Sequence, residues 1–425
     1  MQSVCGKFFL VFWSILIISS SAVSQEKDLS KVDIYLHTFD VGDLIYSNFG
    51  HTALRVKDGN TGRDMIYNWG IFDFQDPLTF SLNYYKGNLI YKLGIYPTYR
   101  AKQQYAFEGR RIWEDKLNLN QQQKTRLLEK LTWNSRPENR DYAYDYFFDN
   151  CSTRPRDFID YALSGALRES SEGKTSGKTF RQMVRDGYTF NPWMDVILEV
   201  GMNSRIDRDM DRWDGMFHPL LLRDELRKLD SQGASVIASS TLIMDGKILK
   251  PLSYDVFKLL AILLFLPLMV SLVIIQQDDW QKSRGEEGIP AVRKLAFRVF
   301  GLVGFLFFFC GGVFGILMPL NWWLSGHQDL HHNINMMLFL PLDFCLVALY
   351  GAVLIKGRAL VFGASIYRIV KRYLALHLIL TAGLAISWVL GDVSQNLERV
   401  IFMSPVMVLI LAMTVNFSLK INDEG

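Results

Sequence analysis

Five long apolar stretches in the second half of the chain restrict its fold more than any other feature. They are Val256–Ile275, Phe297–Leu317, Met336–Leu354, Leu374–Leu390 and Ile401–Leu419. Each is long enough to cross a bilayer as a helix, since about 20 apolar residues span the hydrocarbon core. Before Pro251 the chain is mixed polar and apolar. We therefore predict a soluble domain over residues 25–252, followed by an all-α membrane domain over 253–425 with five transmembrane helices.

The first 24 residues have the pattern of a secretory signal peptide. Lys7 precedes an apolar run over residues 8–18, and small residues lead to Ser24, after which we expect cleavage. The loops after the first and third apolar stretches are rich in Lys and Arg, whereas residues 320–333 contain neither. The positive-inside rule therefore places the soluble domain and residues 320–333 on the outer face of the membrane. Because no basic stripe accompanies the net charge of +3, we expect no nucleic-acid partner.

Two segments of the soluble domain carry the candidate chemistry. Over Gly50–Val56, apolar and polar residues alternate, which predicts a strand, and the following Asp58-Gly59-Asn60 predicts a turn. Over Asp149–Arg154, the pattern predicts the start of a helix, with Asn150 or Ser152 as its N-cap. The sequence thus predicts a strand and a helix start as the two halves of a site.

Cys151 and His51 are the reactive residues of these segments. A cysteine at a helix N-terminus lies near free N–H groups, which favour the thiolate, and a histidine on a neighbouring strand can accept its proton. Cys151 is also the only cysteine between the signal peptide and the apolar stretches, so it has no disulfide partner in the soluble domain. The alternative interpretation is a buried, unreactive thiol.

A third polar residue usually orients the imidazole of such a pair. Asn68 is our first candidate, because Tyr67–Gly70 is predicted to form the strand next to that of His51. Asp73, slightly further along, is the second candidate. The sequence leaves the choice between these two open.

Three motifs together resemble a known family. They are Phe49–Val56 (FGHTALRV), Tyr67–Phe74 (YNWGIFDF) and Asp149–Arg154 (DNCSTR). With histidine ahead of cysteine, they resemble the circularly permuted branch of the NlpC/P60 papain-like superfamily. Followed by membrane helices, they resemble more closely the Bacteroides-type lipoprotein N-acyltransferase family. The resemblance implies an α+β papain-like fold for the soluble domain and a periplasmic location.

The resemblance also implies a function, a thiol-dependent acyltransferase of the inner membrane. It would move an acyl chain from a phospholipid, through a thioester on Cys151, to the α-amino group of the lipid-modified N-terminal cysteine of a lipoprotein. Cys151, His51 and Asn68 would be catalytic. We further expect Trp69, Asn150 and Arg154 to contact the substrate, and we expect neither a metal nor a cofactor.

Other interpretations remain compatible with the sequence. A cysteine peptidase or amidase that cleaves peptidoglycan peptides would suit the wider superfamily, although such an enzyme needs at most a membrane anchor. A non-catalytic membrane scaffold with a structural thiol is a third possibility. His327 and His331 have the spacing of a metal-binding pair only if their segment is helical. We expect their loop, which also contains His332, to pack on the soluble domain.

Overall fold

The computed structural model describes residues 28–44, 47–72, 76–283 and 290–421 of the chain. The predicted signal peptide over residues 1–24 and the alternative orienting residue Asp73 lie outside these residues. Among the described residues, the first part of the chain is α+β and the second part is almost entirely helical. The predicted α+β class is confirmed, and the papain-like type stays a prediction.

One antiparallel sheet organises the soluble domain. The strands of the domain are β1 (Val32–Phe39), β2 (His51–Asp58), β3 (Arg63–Ile71), β4 (Ile90–Pro97), β5 (Ile112–Leu117), β6 (Asp141–Ala143), β7 (Thr175–Thr179), β8 (Asp209–Asp211), β9 (Asp230–Ser231), β10 (Ala234–Ser235) and β11 (Ile237–Met244). In the described part of the chain, seven of them form one sheet in the order β11–β5–β1–β2–β3–β4–β6. The predicted hairpin is confirmed, because β2 and β3 pair from Asp58 opposite Arg63.

Helices cover this sheet and form the core with it. They are α1 (Pro77–Tyr85), α2 (Thr98–Phe107), α3 (Gln121–Asn134), α4 (Thr153–Ala162), α5 (Ala166–Ser171), α6 (Phe180–Gly187), α7 (Pro192–Gly201), α8 (Arg212–Gly215) and α9 (Pro219–Lys228), with a 3₁₀ turn at Ser204–Asp207. Helix α4 begins where the sequence predicts a helix start. Its buried side chains, Phe158 and Ile159, join Leu54 of the sheet in one apolar cluster, which fixes α4 against the strand that begins with His51.

Helices make up most of the second part of the chain. They are α10 (Val256–Ser283), α11 (Pro290–Leu324), α12 (Asp343–Lys356), α13 (Ala364–Val389), α14 (Glu398–Ile401) and α15 (Ser404–Met413), with 3₁₀ turns at Gln328–Leu330 and Ile334–Met337, a π-helical turn at Thr414–Ser418, and the short strands β12 (Leu360–Phe362) and β13 (Leu419–Ile421). Among the described residues, four segments are long and apolar enough to cross a membrane: Val256–Asp279, Pro290–Leu324, Ala364–Val389 and Glu398–Asn416. They correspond to the first, second, fourth and fifth predicted stretches.

The third predicted stretch, Met336–Leu354, differs from the prediction. Its regular helix, α12, has 14 residues, which is a rise of about 21 Å, less than the roughly 30 Å of the hydrocarbon core. Just before it, Asn335 donates to the carbonyl of Val200 in the soluble domain at 2.9 Å. Just after it, Gly357 lies against Lys294 near the start of α11. The segment therefore contacts the soluble domain before α12 and the start of α11 after it, and a fifth crossing stays a prediction.

A buried carboxylate holds the start of α12. Asp343 is 1% exposed and accepts hydrogen bonds from the hydroxyl of Tyr373 at 2.8 Å and from Nε2 of His377 at 2.7 Å. Its other oxygen accepts from the backbone N–H of Leu340 at 3.2 Å. An ionisable group among apolar helices is stabilised only when its polar atoms are paired. These contacts therefore fix α12 against α13.

Candidate active site

Cys151 lies in a tight turn directly before α4. The side-chain oxygen of Asn150 accepts from the backbone N–H groups of Ser152 and Thr153 at 2.7 and 2.9 Å, which satisfies donors at the helix start. The Asn150 amide group donates to two backbone carbonyl groups at 2.9 and 3.1 Å. Of the two predicted caps, Ser152 stands at the N-cap position without a side-chain cap bond, and Asn150 supplies the acceptor for the helix start. The side chain of Asn150 holds the turn before Cys151 and also lines the cavity, so its expected contact with substrate stays a prediction.

His51, the first residue of β2, is oriented by Asn68. The two side chains are joined by a hydrogen bond of 2.6 Å between Nε2 of His51 and Oδ1 of Asn68. Because the amide oxygen only accepts, Nε2 carries the proton and Nδ1 is left as the base. The amide nitrogen of Asn68 donates to the hydroxyl of Tyr96 at 2.6 Å. Asn68 thus makes the contact that an orienting residue must make.

The imidazole and the cysteine meet at Gly70. A Cβ atom added to Gly70 would lie 3.5 Å from Cε1 of His51 and 3.6 Å from Cβ of Cys151. Gly70 has a φ of +103°, in a bulge of β3 that follows Trp69. In the described chain no hydrogen bond joins the imidazole to the thiol. Catalytic contacts often tighten only when substrate binds, so the arrangement fits a pair that closes around a substrate.

Burial governs the protonation of this pair. It lowers the pKa of His51 from 6.5 to about 4 and raises the pKa of Cys151 from 9.0 to about 11. The backbone N–H groups of Thr52 and Cys151 and the charge of Arg110 act against the rise in the pKa of the thiol. The sequence predicts a thiolate favoured by the helix N-terminus, but the cost of burying a charge is larger. Both groups are therefore neutral at pH 7.

This protonation state predicts a steep pH dependence of thiol reactivity. Only the thiolate reacts with iodoacetamide, so the alkylation rate of Cys151 should rise about tenfold per pH unit between about pH 7 and pH 10, below the pKa of about 11. Peptide mass spectrometry would follow Cys151 separately from Cys310 and Cys345. A rate that stays constant over this range would contradict the neutral pair and indicate a thiolate–imidazolium pair.

A cavity of about 760 Å³ lies in front of the thiol and the imidazole. Its volume is within the range of small-molecule sites. Most of its wall is apolar or aromatic, formed by Phe49, Ile71, Phe72, Phe80, Tyr84, Tyr91, Tyr105, Tyr144, Tyr146, Phe147, Val184, Tyr188, Met194, Leu198, Met202, Phe217 and Leu330. Such a wall accommodates a hydrocarbon chain and gives few hydrogen-bonding partners to water.

The loop after α11 forms part of this wall. His327 and Leu330 line the cavity. Nε2 of His327 lies 2.7 Å from the carbonyl oxygen of Tyr84, and the hydroxyl of Tyr146 donates to Asp329 at 2.8 Å. The predicted packing of this loop on the soluble domain is confirmed. Within the residues that the structure covers, no cluster of three or more His, Cys, Asp or Glu side chains could hold a metal ion.

A second set of polar contacts fixes helix α7 to the membrane domain. Arg399 forms ion pairs with Asp195 of α7 at 2.9 Å and with Asp255 at 3.1 Å. Asn333 donates to the carbonyl of Val200 at 2.8 Å. Because α7 also contributes side chains to the cavity wall, the membrane domain determines where that wall lies.

Two residues that we expected to contact substrate lie away from the cavity. Trp69 is 0% exposed, and its indole N–H donates to Asn134 at 2.9 Å within the core. Arg154 pairs with Asp149 at 2.6 Å and lies over the ring of Tyr142. Neither residue lines the cavity. Their placement supports structural roles and gives no support to substrate contact.

The comparison with known families concerns the first part of the chain. Residues 20–185 match the family model of the Lnb N-terminal periplasmic domain. The match supports an Lnb-type protein, and its range contains His51, Asn68 and Cys151. With the four candidate membrane helices, it also supports a membrane protein with a periplasmic domain. No curated protein and no solved structure matches the chain.

Two residues within the Lnb-matched range reach the site without having been predicted. Tyr96 of β4 meets Asn68 because β3 and β4 pair with Ile66 opposite Tyr96. Arg110 follows α2 and reaches the cavity wall through a turn before β5. In the sequence, Tyr96 is one aromatic residue of an ordinary strand and Arg110 is one of two consecutive arginines. No local pattern distinguished either residue.

Proposed function

We propose that this chain is a thiol-dependent lipoprotein N-acyltransferase. It would take an acyl chain from a phospholipid and transfer it to the α-amino group of the lipid-modified N-terminal cysteine of a lipoprotein. It would work in the inner membrane with its catalytic domain in the periplasm. The observation that carries the proposal is the cavity, in which Cys151 and the His51–Asn68 pair face a largely apolar wall that the membrane domain helps to build.

The first half of the reaction would acylate Cys151. As the sulfur attacks the ester carbonyl of the phospholipid, the thiol proton passes to Nδ1 of His51. The carbon–oxygen bond to glycerol then breaks, and His51 returns the proton to the departing alkoxide. The products are a lysophospholipid and a thioester on Cys151. The neutral pair described above suits this route, because His51 starts as a free base.

The second half would transfer the acyl chain to the lipoprotein. The α-amino nitrogen attacks the thioester carbonyl while His51 accepts a proton from the amine. The carbon–sulfur bond breaks, the sulfur regains a proton from His51, and an amide results. The backbone N–H groups of Thr52 and Cys151, which interact with the sulfur, are the candidates for stabilising the oxyanion in both halves.

Exclusion of water supports transfer over hydrolysis. A thioester exposed to solvent would lose its acyl group to water, whereas an apolar and aromatic wall keeps the local water concentration low. A peptidase needs water as its second substrate and gains nothing from such a wall. The cavity therefore favours acyl transfer over the cleavage of peptidoglycan peptides.

Mass analysis of a lipoprotein would test the proposal. Cells with the wild-type chain should yield N-terminal lipopeptides one acyl group heavier than cells with Cys151→Ala at equal expression. Cys345→Ala is the matched control, because this exposed thiol lies in α12 outside the cavity, and it should behave as the wild type. Equal masses for the wild type and Cys151→Ala would refute the acyltransferase. Cleavage of purified wall peptides would then establish the peptidase alternative.

A further inference from the structure

Arg110 is a residue of the cavity wall with one buried guanidinium nitrogen that has no acceptor among the described residues. The residue is 5% exposed and lines the cavity. Its Nε donates to the carbonyl of Asp40 at 2.7 Å, and its Nη1 donates to Glu108 at 3.1 Å. Among the described residues, Nη2 is buried without a hydrogen-bond partner. A buried cationic donor is costly when unpaired, so an acceptor that a ligand brings to this atom would stabilise it.

The positive charge of Arg110 is not cancelled by Asp40. The Asp40 carboxylate pairs with Arg111 at 2.5 Å, and Arg110 receives only its backbone carbonyl. Glu108 is the carboxylate in contact with Arg110, and it engages Nη1. Although burial dominates the pKa shifts of His51 and Cys151, the charge of Arg110 also lowers the pKa of both. Arg110 therefore acts electrostatically on the catalytic pair.

One aromatic ring connects Arg110 with the catalytic histidine. The guanidinium lies over the ring of Tyr105, with 4.8 Å between its central carbon and the ring centre. The same ring stacks beside the imidazole of His51 at a centroid distance of 6.1 Å. The part of the cavity wall that contains Arg110 is thus one ring away from His51.

A series of aromatic rings extends from the catalytic pair along the apolar wall of the cavity. Tyr91 lies 4.0 Å from the position that a Cβ atom of Gly70 would take. From Tyr91, ring contacts lead to Phe72 at 5.1 Å and on to Phe80 at 4.9 Å. The wall therefore offers a cationic group, a catalytic pair and an apolar surface next to one another.

We propose that Arg110 binds the phosphate of the phospholipid acyl donor and so selects donors that carry a phosphodiester. The proposal rests on the proposed function and adds the recognition of the donor to it. In a glycerophospholipid only the glycerol separates the ester from the phosphate. A phosphate on Nη2 of Arg110 would therefore leave the ester at Cys151 and the chain among the rings. Guanidinium groups suit phosphate because they donate charge-assisted hydrogen bonds.

Binding to the Cys151→Ala chain tests the proposal without acyl transfer. The full chain in detergent micelles would be titrated with dihexanoylphosphatidylethanolamine and with dihexanoylglycerol, which have the same acyl chains. The phospholipid should bind about 10- to 100-fold more tightly, in line with one hydrogen bond between charged groups. Equal affinities for the two probes would overturn the proposal without any substitution at Arg110.

Substitution of Arg110 is the second test of the phosphate-binding proposal. In the same background, Arg110→Gln should weaken phospholipid binding by about 10- to 100-fold and leave dihexanoylglycerol binding within about threefold, which also shows that the cavity is intact. Arg110→Lys keeps the charge and should show a smaller loss. Arg100→Gln is the matched control, because Arg100 is exposed on α2 and does not line the cavity. Unchanged phospholipid affinity in Arg110→Gln, or an equal loss for both probes, would overturn the proposal.

These experiments can refute either proposal without refuting the other. If the lipopeptide masses are equal but the phospholipid preference depends on Arg110, the acyltransferase is refuted and the phosphate site stands. If acyl transfer depends on Cys151 while the two probes bind equally, the acyltransferase stands and the phosphate site is refuted.

Discussion

Replacing His51 with alanine is expected to lower the rate of acylation of Cys151 by about 10³-fold, the usual contribution of a general base. The reason is that the Cys151 thiol and the His51 imidazole are both neutral before the reaction. With the pKa of the thiol near 11, very little thiolate is present at pH 7, so the attack depends on removal of the proton by Nδ1 of His51. The intact mass of the chain, followed over time after mixing with phospholipid in micelles, would measure the acyl-enzyme.

A control variant and the melting temperature separate a catalytic loss from a structural one. His332→Ala removes an exposed histidine that stacks on Trp322 outside the cavity, and it should acylate at the wild-type rate. If the His51→Ala chain acylates within tenfold of the wild-type rate and has the same melting temperature, His51 is not the general base.

Local patterns predicted the parts of the site that lie on single elements. Alternation around His51 predicted β2, turn residues predicted its hairpin with β3, and that hairpin placed Asn68 beside the imidazole. The capping chemistry of Asn150 predicted where α4 starts. Each of these inferences needed only neighbouring residues, for which propensity and capping rules hold.

The parts that depend on burial or on distant packing could not be predicted. Trp69 lies in a candidate motif, yet its placement in the core is decided by helices that follow much later in the chain. The pKa values of Cys151 and His51 depend on desolvation, which is a property of the folded site and not of the helix start. The contribution of His327 to the wall requires the membrane domain to fold back onto the soluble domain.

The length of the third apolar stretch illustrates a related limit. Hydropathy predicts that Met336–Leu354 is apolar, but it does not predict how much of the stretch is helical. The buried carboxylate of Asp343 and its partners on α13 set the start of α12 part-way along the stretch.

The role of Asn68 leads to the second prediction. Asn68→Leu keeps a similar volume but removes the acceptor for Nε2–H of His51. The imidazole would then lose the contact that fixes its tautomer, and acylation should fall by about 10²-fold, as for the loss of other groups that orient a histidine. The same intact-mass assay measures this fall. Tyr96→Phe is the control, because it leaves the bond between Asn68 and His51 in place, and it should remain within about tenfold.

Asn68→Asp distinguishes orientation from mere packing. A carboxylate accepts the same Nε2–H, so the tautomer survives and acylation at pH 7 should exceed that of Asn68→Leu. The added negative charge stabilises the imidazolium, which raises the pKa of His51 above its present value of about 4. Because the base is lost when His51 is protonated, the acid limb of the rate profile should move to higher pH in this variant. If Asn68→Leu acylates at the wild-type rate, or if Asn68→Asp leaves the acid limb unmoved, then Asn68 does not orient the base.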